Sequence, residues 1–314
     1  MEFLRPRDLS EALSAKAANP DAVPIAGGTD VMVELNFARR RPPALIDLSR
    51  VTELTGWRVV GDRLRVGASV TYAELTGERS NGGARGEGNS ELGRRLPGLA
   101  IAARTVGSPQ IRNRGTIGGN LGSASPAGDC HPSLLAAGAE VEVVSVRGSR
   151  IIGIDEFFTG VKQNALAIDE LVAAVWISQP TGPEQFAKNG TRNAMVIAVA
   201  AFALALHPDR YAVGTGIGSA APTPVRAGEA EAFLGGALDE AGLWESRGPL
   251  PDRVVAEFAS LVSAAARPID DVRGTAAYRR HSLGILAKRA LTWAWQDYRE
   301  GREEGRLDAG RQDS

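Results

Sequence analysis

The chain has one cysteine, Cys130, and three histidines, His131, His207 and His281, in 314 residues. An intrachain disulfide is therefore impossible, and neither a Cys-rich zinc site nor an iron–sulfur cluster can be built from its own side chains. Lysine is scarce as well. Lys16, Lys162, Lys188 and Lys288 are the whole set, and arginine supplies the other cations. Lys plus Arg totals 36 against 37 for Asp plus Glu, a formal net charge of -1, so no global field draws in nucleic acid or an anionic membrane. The longest apolar run, residues 194–206, falls short of the roughly 20 residues that a membrane-spanning helix needs. The first residues, Met1-Glu2-Phe3-Leu4-Arg5-Pro6, put an acid and a proline where a secretory signal has cations and then an apolar stretch. A cytoplasmic location is the expectation.

What remains is ordinary for a folded protein, with 43% apolar and 23% charged residues. A chain of 314 residues exceeds what one core usually holds, so two or three sub-domains are expected. Asp8-Leu9-Ser10 caps a helix over residues 11–17 that stops before Asn19-Pro20. Residues 22–26 form a short buried strand, residues 31–37 a helical turn or two, and residues 44–48 a second buried strand. Strand, helix and strand in this space predict a small parallel unit. From Trp57 the pattern changes: alternation around Gly61-Asp62 predicts a β-hairpin over residues 58–67. A helix starts near Thr71, another covers residues 99–105, and strands cover residues 140–146 and 171–177. Residues 77–90, rich in Gly, Arg and Glu, read as an exposed insertion. A turn-rich joint at residues 179–183 opens the last third. There the apolar runs 194–206 and 211–218 pair as strands, and helices cover residues 228–234, 254–266 and 282–299. These breaks divide the chain into residues 1–56, 57–178 and 179–300, with a polar tail at 301–314 that frays.

Two glycine-rich turns carry the functional information. The first is Ala26-Gly27-Gly28-Thr29-Asp30, after the first buried strand. The second runs from Thr105-Val106-Gly107 to Arg114-Gly115-Thr116-Ile117-Gly118-Gly119-Asn120. Consecutive glycines admit positive φ and let backbone N–H groups approach an anion without a Cβ in the way. A diphosphate suits two such loops, because charge-assisted hydrogen bonds contribute roughly 1.5–3 kcal/mol each. The plainer reading is that each Gly-Gly is only a tight turn. Neither loop is a P-loop, since no Gly-Lys-Ser/Thr follows. The nearest approach to a Rossmann fingerprint, Gly214-Thr215-Gly216-Ile217-Gly218-Ser219, has Ser in the third glycine position and leads into Ala-Pro turns, as a strand ending in a turn would.

Ala26-Gly27-Gly28-Thr29-Asp30 together with Thr116-Ile117-Gly118-Gly119-Asn120 resembles the paired FAD signatures of the molybdenum hydroxylase medium subunit. That family includes the flavin subunits of xanthine dehydrogenases and aerobic carbon monoxide dehydrogenases. The resemblance continues through Leu121-Gly122-Ser123-Ala124-Ser125-Pro126-Ala127-Gly128-Asp129, Phe186-Ala187-Lys188, residues 218–227 and residues 273–280, so it spans nearly the whole chain in order. It implies an α+β chain of the p-cresol methylhydroxylase-type FAD-binding fold, with two α/β lobes and a C-terminal sheet-and-helix domain. Non-covalent FAD would lie extended between the first two lobes. By motif, the resemblance implies cofactor contacts at Ile25, Ala26, Gly27, Gly28, Thr29, Asp30 and Val31, and at Thr116, Ile117, Gly118, Gly119 and Asn120. Val106 and Gly107 occupy adjoining contact positions, and Asp129, Val172 and Lys188 match three further ones.

Asp129 has two readings. As a cofactor residue it would accept from a ribityl or sugar hydroxyl, since a carboxylate repels diphosphate; otherwise it is an acid before the helix at 132–137, complementing the dipole. Lys188 is by default a solvated cation. Cys130 and His131, adjacent in sequence, read as core or surface filling and not as a catalytic pair. The resemblance further implies an electron-transfer subunit without catalytic acids or bases of its own. Molybdenum cofactor would sit on a large partner subunit and [2Fe–2S] clusters on a small one, in a dimer of heterotrimers. NAD+, a quinone or oxygen would be the final acceptor. The rival readings are a self-contained flavin oxidase or dehydrogenase of the same superfamily, and a non-catalytic FAD-binding assembly module.

Overall fold

The structure, a computed structural model, describes residues 1–77 and 90–301. The insertion expected at 77–90, apart from its two end residues, and the tail beyond Gly301 lie outside the described residues. In the first lobe, strands β1 (Glu2–Leu4), β2 (Val23–Ile25) and β3 (Ala44–Asp47) form a parallel sheet in the order β1-β3-β2. The strand β1 carries no sequence signal: it is three residues long, largely exposed, and defined by pairing with β3 alone. The helix Leu9–Ala18 begins as its cap residue dictates, with the Glu11 N–H donating to Asp8 Oδ1 at 2.8 Å.

The middle of the molecule is a five-stranded antiparallel sheet. Its strands are β4 (Trp57–Val60), β5 (Arg63–Gly67), β6 (Glu140–Ser145), β7 (Gly148–Gly153) and, after the small hairpin of β8 (Phe158–Gly160) and β9 (Gln163–Asn164), β10 (Leu171–Ser178). The order is β4-β5-β10-β6-β7. One face packs Leu64, Val66, Val141, Val143, Val175 and Ile177 against helices that carry Leu99, Leu121 and Leu134. The other face meets the first lobe, where Val144, Leu171 and Ala173 pack with Ala12, Ala44 and Ile46. The first two lobes are thus joined through the back of this sheet.

The third unit is a sheet of β11 (Glu184–Asn189), β12 (Ala200–His207) and β13 (Ala212–Gly218), covered by helices Gly228–Glu240, Asp252–Ala265 and Ala276–Glu300. Every residue of β12 is buried, which explains its unbroken apolar run. Period two sorts that run by size. Phe202, Leu204 and Leu206 enter the C-terminal core, whereas Ala201, Ala203 and Ala205 face the second lobe. The expected strand over 194–206 begins only at Ala200. Met195, with φ at 49°, is in the left-handed region and breaks extended geometry, and its carbonyl accepts from Arg192 Nε at 3.1 Å.

The Gly214-Thr215-Gly216-Ile217-Gly218 pattern has a packing function. Gly214, Gly216 and Gly218 pair across the ladder with Ala205, Ala203 and Ala201, so the two strands present a flat strip of small residues. The helix His131–Ala136 lies on that strip. A Cβ on Gly214 would sit 1.9 Å from the Ala136 carbonyl oxygen, and one on Gly216 would sit 2.0 Å from that of Pro132. Both neighbours are backbone and cannot step aside. Gly216→Ala is therefore expected to lower unfolding free energy by about 1–3 kcal/mol, the usual cost of forcing extra volume into a packed interior. Gly236→Ala, on a helix with nothing near its Cβ position, should be neutral or stabilising. Paired chemical denaturation curves check this, and equal stability of Gly216→Ala and wild type would refute it.

Candidate functional site

The first glycine loop follows the carboxyl end of β2. Gly28 takes φ of 77°, and its carbonyl accepts from Met32 to open the helix Val31–Asn36. Gly27 is forced by a close approach of the two lobes: a Cβ there would lie 1.7 Å from the Arg114 carbonyl oxygen of the second loop. Two side-chain bonds close the same seam. Ser123 Oγ donates to Asp30 Oδ2 at 2.9 Å, and Lys162 Nζ pairs with Glu34 at 2.6 Å. Among the described residues, the N–H groups of Gly27, Gly28, Thr29 and Asp30 have no protein acceptor. All four residues line a cleft of about 690 Å³ between the lobes. Undirected N–H groups in succession beside a cavity are the donor set that an anion needs.

The second loop is built differently. Its strand-like entry is zipped to residues 70–72: Tyr72 N–H donates to the Gly115 carbonyl at 3.1 Å and Ile117 N–H to that of Val70 at 3.1 Å. Gly118 N–H donates to the Ala68 carbonyl at 2.8 Å, and Thr116 Oγ1 accepts from Gly119 N–H at 2.9 Å to cap the helix Ile117–Ser123. A Cβ on Gly118 would meet Ala68 Cβ at 2.5 Å. The glycines of this loop therefore serve its packing, and the N–H groups of residues 117–119 are already spent. What the loop offers the cleft is side chain and carbonyl. Asn120 Oδ1 is buried with no protein partner among the described residues.

Beyond Asn120 the chain reaches Asp129 on the cleft wall, with the third unit packed behind it. Lys188 on β11 is buried, with Nζ donating to Asp129 Oδ2 at 2.8 Å and to the Thr105 carbonyl at 3.0 Å. Lys188 is thus not a solvated cation, and Asp129 pairs with it instead of capping a helix. The strip of alanine and glycine that seats the helix His131–Ala136 is what brings the two together. Asp129 Oδ1 has no partner among the described residues. Burial outweighs the lysine and pushes the Asp129 carboxyl up to about 6. His131 is held between two carbonyls, Nδ1 at 3.1 Å from Ser125 and Nε2 at 3.2 Å from Asn120, and burial lowers it to about 4. Cys130 is fully buried and its thiol is pushed well up, which makes it inert.

Of the residues implied by resemblance, Ala26, Gly27, Gly28, Thr29, Asp30 and Val31 line the cleft from the first lobe. Thr116, Gly118, Gly119 and Asn120 face them, with Val106 and Asp129 on the same wall. Val172 lines the cleft where a register shift interrupts the β10–β6 ladder. Ile25, Gly107, Ile117 and Lys188 stand behind the wall. Ile117 is core, Ile25 packs beneath Gly28, and Gly107 lies in a turn held by the Arg112 guanidinium at the Val106 carbonyl, 3.2 Å away. Sequence reasoning did not single out Tyr72, Ser123 or Lys162. Only Tyr72 had a local signal, the capping box of Thr71 and Glu74 that fixes the start of its helix.

The raised Asp129 carboxyl makes a stability prediction. In the fold it binds a proton more readily than in the unfolded chain, where its value is near 3.8, so its contribution falls as pH rises from about 4 to about 6. Measured against Asp129→Asn, wild type should gain relative stability on acidification through that window and show a constant difference above it. Denaturation midpoints at pH 4 to 8 check this; a difference that moves the opposite way would contradict the burial-dominated assignment.

Residues 1–180 match the FAD binding domain in molybdopterin dehydrogenase, and residues 185–294 match the CO dehydrogenase flavoprotein C-terminal domain. The nicotine 6-hydroxylase medium subunit of Paenarthrobacter nicotinovorans is 32% identical over 94% of this chain and 97% of that protein. The xanthine dehydrogenase FAD-binding subunit of Escherichia coli O157:H7 is 30% identical over 93% and 95%. A solved structure of carbon monoxide dehydrogenase from Hydrogenophaga pseudoflava is similar with a TM-score of 0.81 and 27% identity, covering 94% of this chain and 97% of that one. The architecture is thus the p-cresol methylhydroxylase-type FAD-binding fold with its C-terminal domain. On sequence, fold and cleft together, the chain belongs to the FAD-binding medium subunits of the molybdenum hydroxylase family.

Proposed function

We propose that this chain carries FAD in the cleft between its first two lobes and relays electrons between partner subunits and an acceptor. The observation that carries the reading is the set of N–H groups at residues 27–30, without protein acceptors among the described residues, on a loop that lines the same cleft as Asn120 and Asp129. Residues 27–30 would hold the diphosphate, with Thr29 adding its hydroxyl. Val106 and Val172 would wall the two ends. Lys188 keeps Asp129 in place, and Ser123 and Lys162 hold the lobes together over the seam. Bound there, FAD supplies the capacity to accept electrons one at a time and release them in pairs. Relay requires no proton donor from the chain, and His131, a buried neutral ring that donates to one of the two carbonyls beside it, is placed for structure.

The relatives supply the setting. The nicotine 6-hydroxylase medium subunit, the xanthine dehydrogenase FAD-binding subunit and a carbon monoxide dehydrogenase medium chain match over 94%, 93% and 92% of this chain. By that likeness, [2Fe–2S] clusters on a small subunit deliver the electrons and a molybdenum cofactor on a large one oxidises the substrate. The complex would be a dimer of heterotrimers in the cytoplasm, with NAD+ or a quinone as acceptor. By the same likeness, both metal centres would belong to those partner chains.

FAD binds only the folded form, so its effect on stability follows mass action. At a hundred times Kd it should add about 2.7 kcal/mol to unfolding free energy, with Tm rising as its concentration rises. Gly28→Val, which strains a left-handed position inside the donor loop, should leave a folded chain that loses flavin on gel filtration. An unchanged Tm at saturating FAD, with no yellow chromophore retained by wild type, would overturn the proposal.

A further inference from the structure

The third unit meets the second lobe across one face of its sheet. Pairing of β11 with β12 sets Glu184, Phe186 and Lys188 opposite Ala205, Ala203 and Ala201, on the face turned to that lobe. Phe186 joins the apolar core there. Two residues before it stands an acid and two after it a base, and both side chains are buried. Each grips one end of the same helix, Pro97–Arg104. Glu184 Oε2 accepts from the Gly98 N–H at 2.9 Å in the first turn, and Lys188 Nζ donates to the carbonyl of Thr105, the C-cap, at 3.0 Å.

The match is one of length and of sign. Four residues of strand span about 13 Å, and a helix of eight residues is about 12 Å long. The anion stands at the helix N-terminus and the cation at its C-terminus, so both complement the helix dipole. The helix has no local cap: Leu96 offers no side-chain acceptor, and Pro97 has no N–H to satisfy. Glu184 supplies the missing acceptor from 86 residues away. It sits so close that a Cβ on Gly98 would lie 2.8 Å from its own Cβ. Phe186 alone would join the two units by apolar contact. The flanking charges add register, because a helix slid by one turn, about 5.4 Å, would leave both without these backbone partners.

We propose that Glu184 is a positioning residue for cofactor binding. It does not line the cleft, but the helix whose start it holds runs directly into Thr105-Val106-Gly107, and Val106 does line it. With Lys188 fixing the far end, the strand β11 acts as a ruler that sets where Val106 stands against the flavin. The inference rests on the FAD reading above and extends it by making the third unit answerable for the shape of a cleft formed by the other two.

The test titrates the full chain with FAD. Glu184→Ala should weaken binding about tenfold, the loss of one buried hydrogen bond transmitted to the wall. Glu184→Gln, which keeps an oxygen for the Gly98 N–H, should restore most of the affinity. Val262→Ala, which opens a cavity in the C-terminal core, controls for lost stability and should bind FAD as wild type does. In a Val106→Ala background Glu184→Ala should cost far less than tenfold, since the residue it acts through is gone. Wild-type affinity in Glu184→Ala, equal weakening by Val262→Ala, a Gln variant as weak as the Ala one, or full additivity with Val106→Ala would each overturn the inference while the FAD reading stands. Where Glu184→Ala fails to fold, Glu184→Asp, one methylene too short to reach Gly98, takes its place. It should bind FAD more weakly than Glu184→Gln, and equal or tighter binding would refute the ruler. Wild type that binds no FAD would bring down the cofactor reading itself.

Discussion

The contact between Gly27 and the Arg114 carbonyl is the constraint on which the cleft depends. With Cβ room of 1.7 Å, no side chain other than hydrogen lets the two loops meet. The Glu34–Lys162 pair spans the same seam but is half exposed, and such pairs contribute about 1 kcal/mol at most. Steric closeness, and not the ion pair, sets the separation of the walls. The loop it closes lies outside any ladder, and among the described residues its N–H groups at 27–30 have no protein acceptor.

A second close approach places the opposite end. The alanine face of β12 and the glycine face of β13 form a strip flat enough for the backbone of the helix His131–Ala136. That seating fixes the residues just before it, so Asp129 arrives beside Lys188 of β11. The Asp129 carboxyl is raised despite the lysine, which means that desolvation exceeds attraction. A buried pair on the wall of a cleft, with one carboxylate oxygen unspent, fits the pattern in which perturbed groups gather at functional sites.

Much of the local structure was legible. Asp8, Thr71 and the Gly61-Asp62 turn each announce an element that the structure contains, because caps and turns are decided by residues a few positions apart. The strands β1, β7 and β11 were not legible. The strand β1 is short and exposed, β7 has its apolar residues at one end, and β11 reads as a polar segment because its inward face carries Glu184 and Lys188. In each case pairing with a longer neighbour decides the conformation. The Gly214 to Gly218 pattern shows the reverse limit: the sequence reveals the glycines, but their packing duty exists only once a helix from 80 residues earlier lies on them.

The amino-acid order by itself determined the two glycine turns, the lack of cysteines for a Cys-rich zinc site or an iron–sulfur cluster, and the length of chain over which a family likeness holds. Only the tertiary structure decided which turn has backbone donors to spare, that Lys188 is buried against Asp129, and that Tyr72 belongs to the cleft. The physical reason is one of range. A glycine's conformational freedom and a cap's hydrogen bond are local quantities, written in neighbouring residues. Whether a donor is spent, a charge desolvated or a hydroxyl unpartnered depends on what segments remote in sequence bring alongside it.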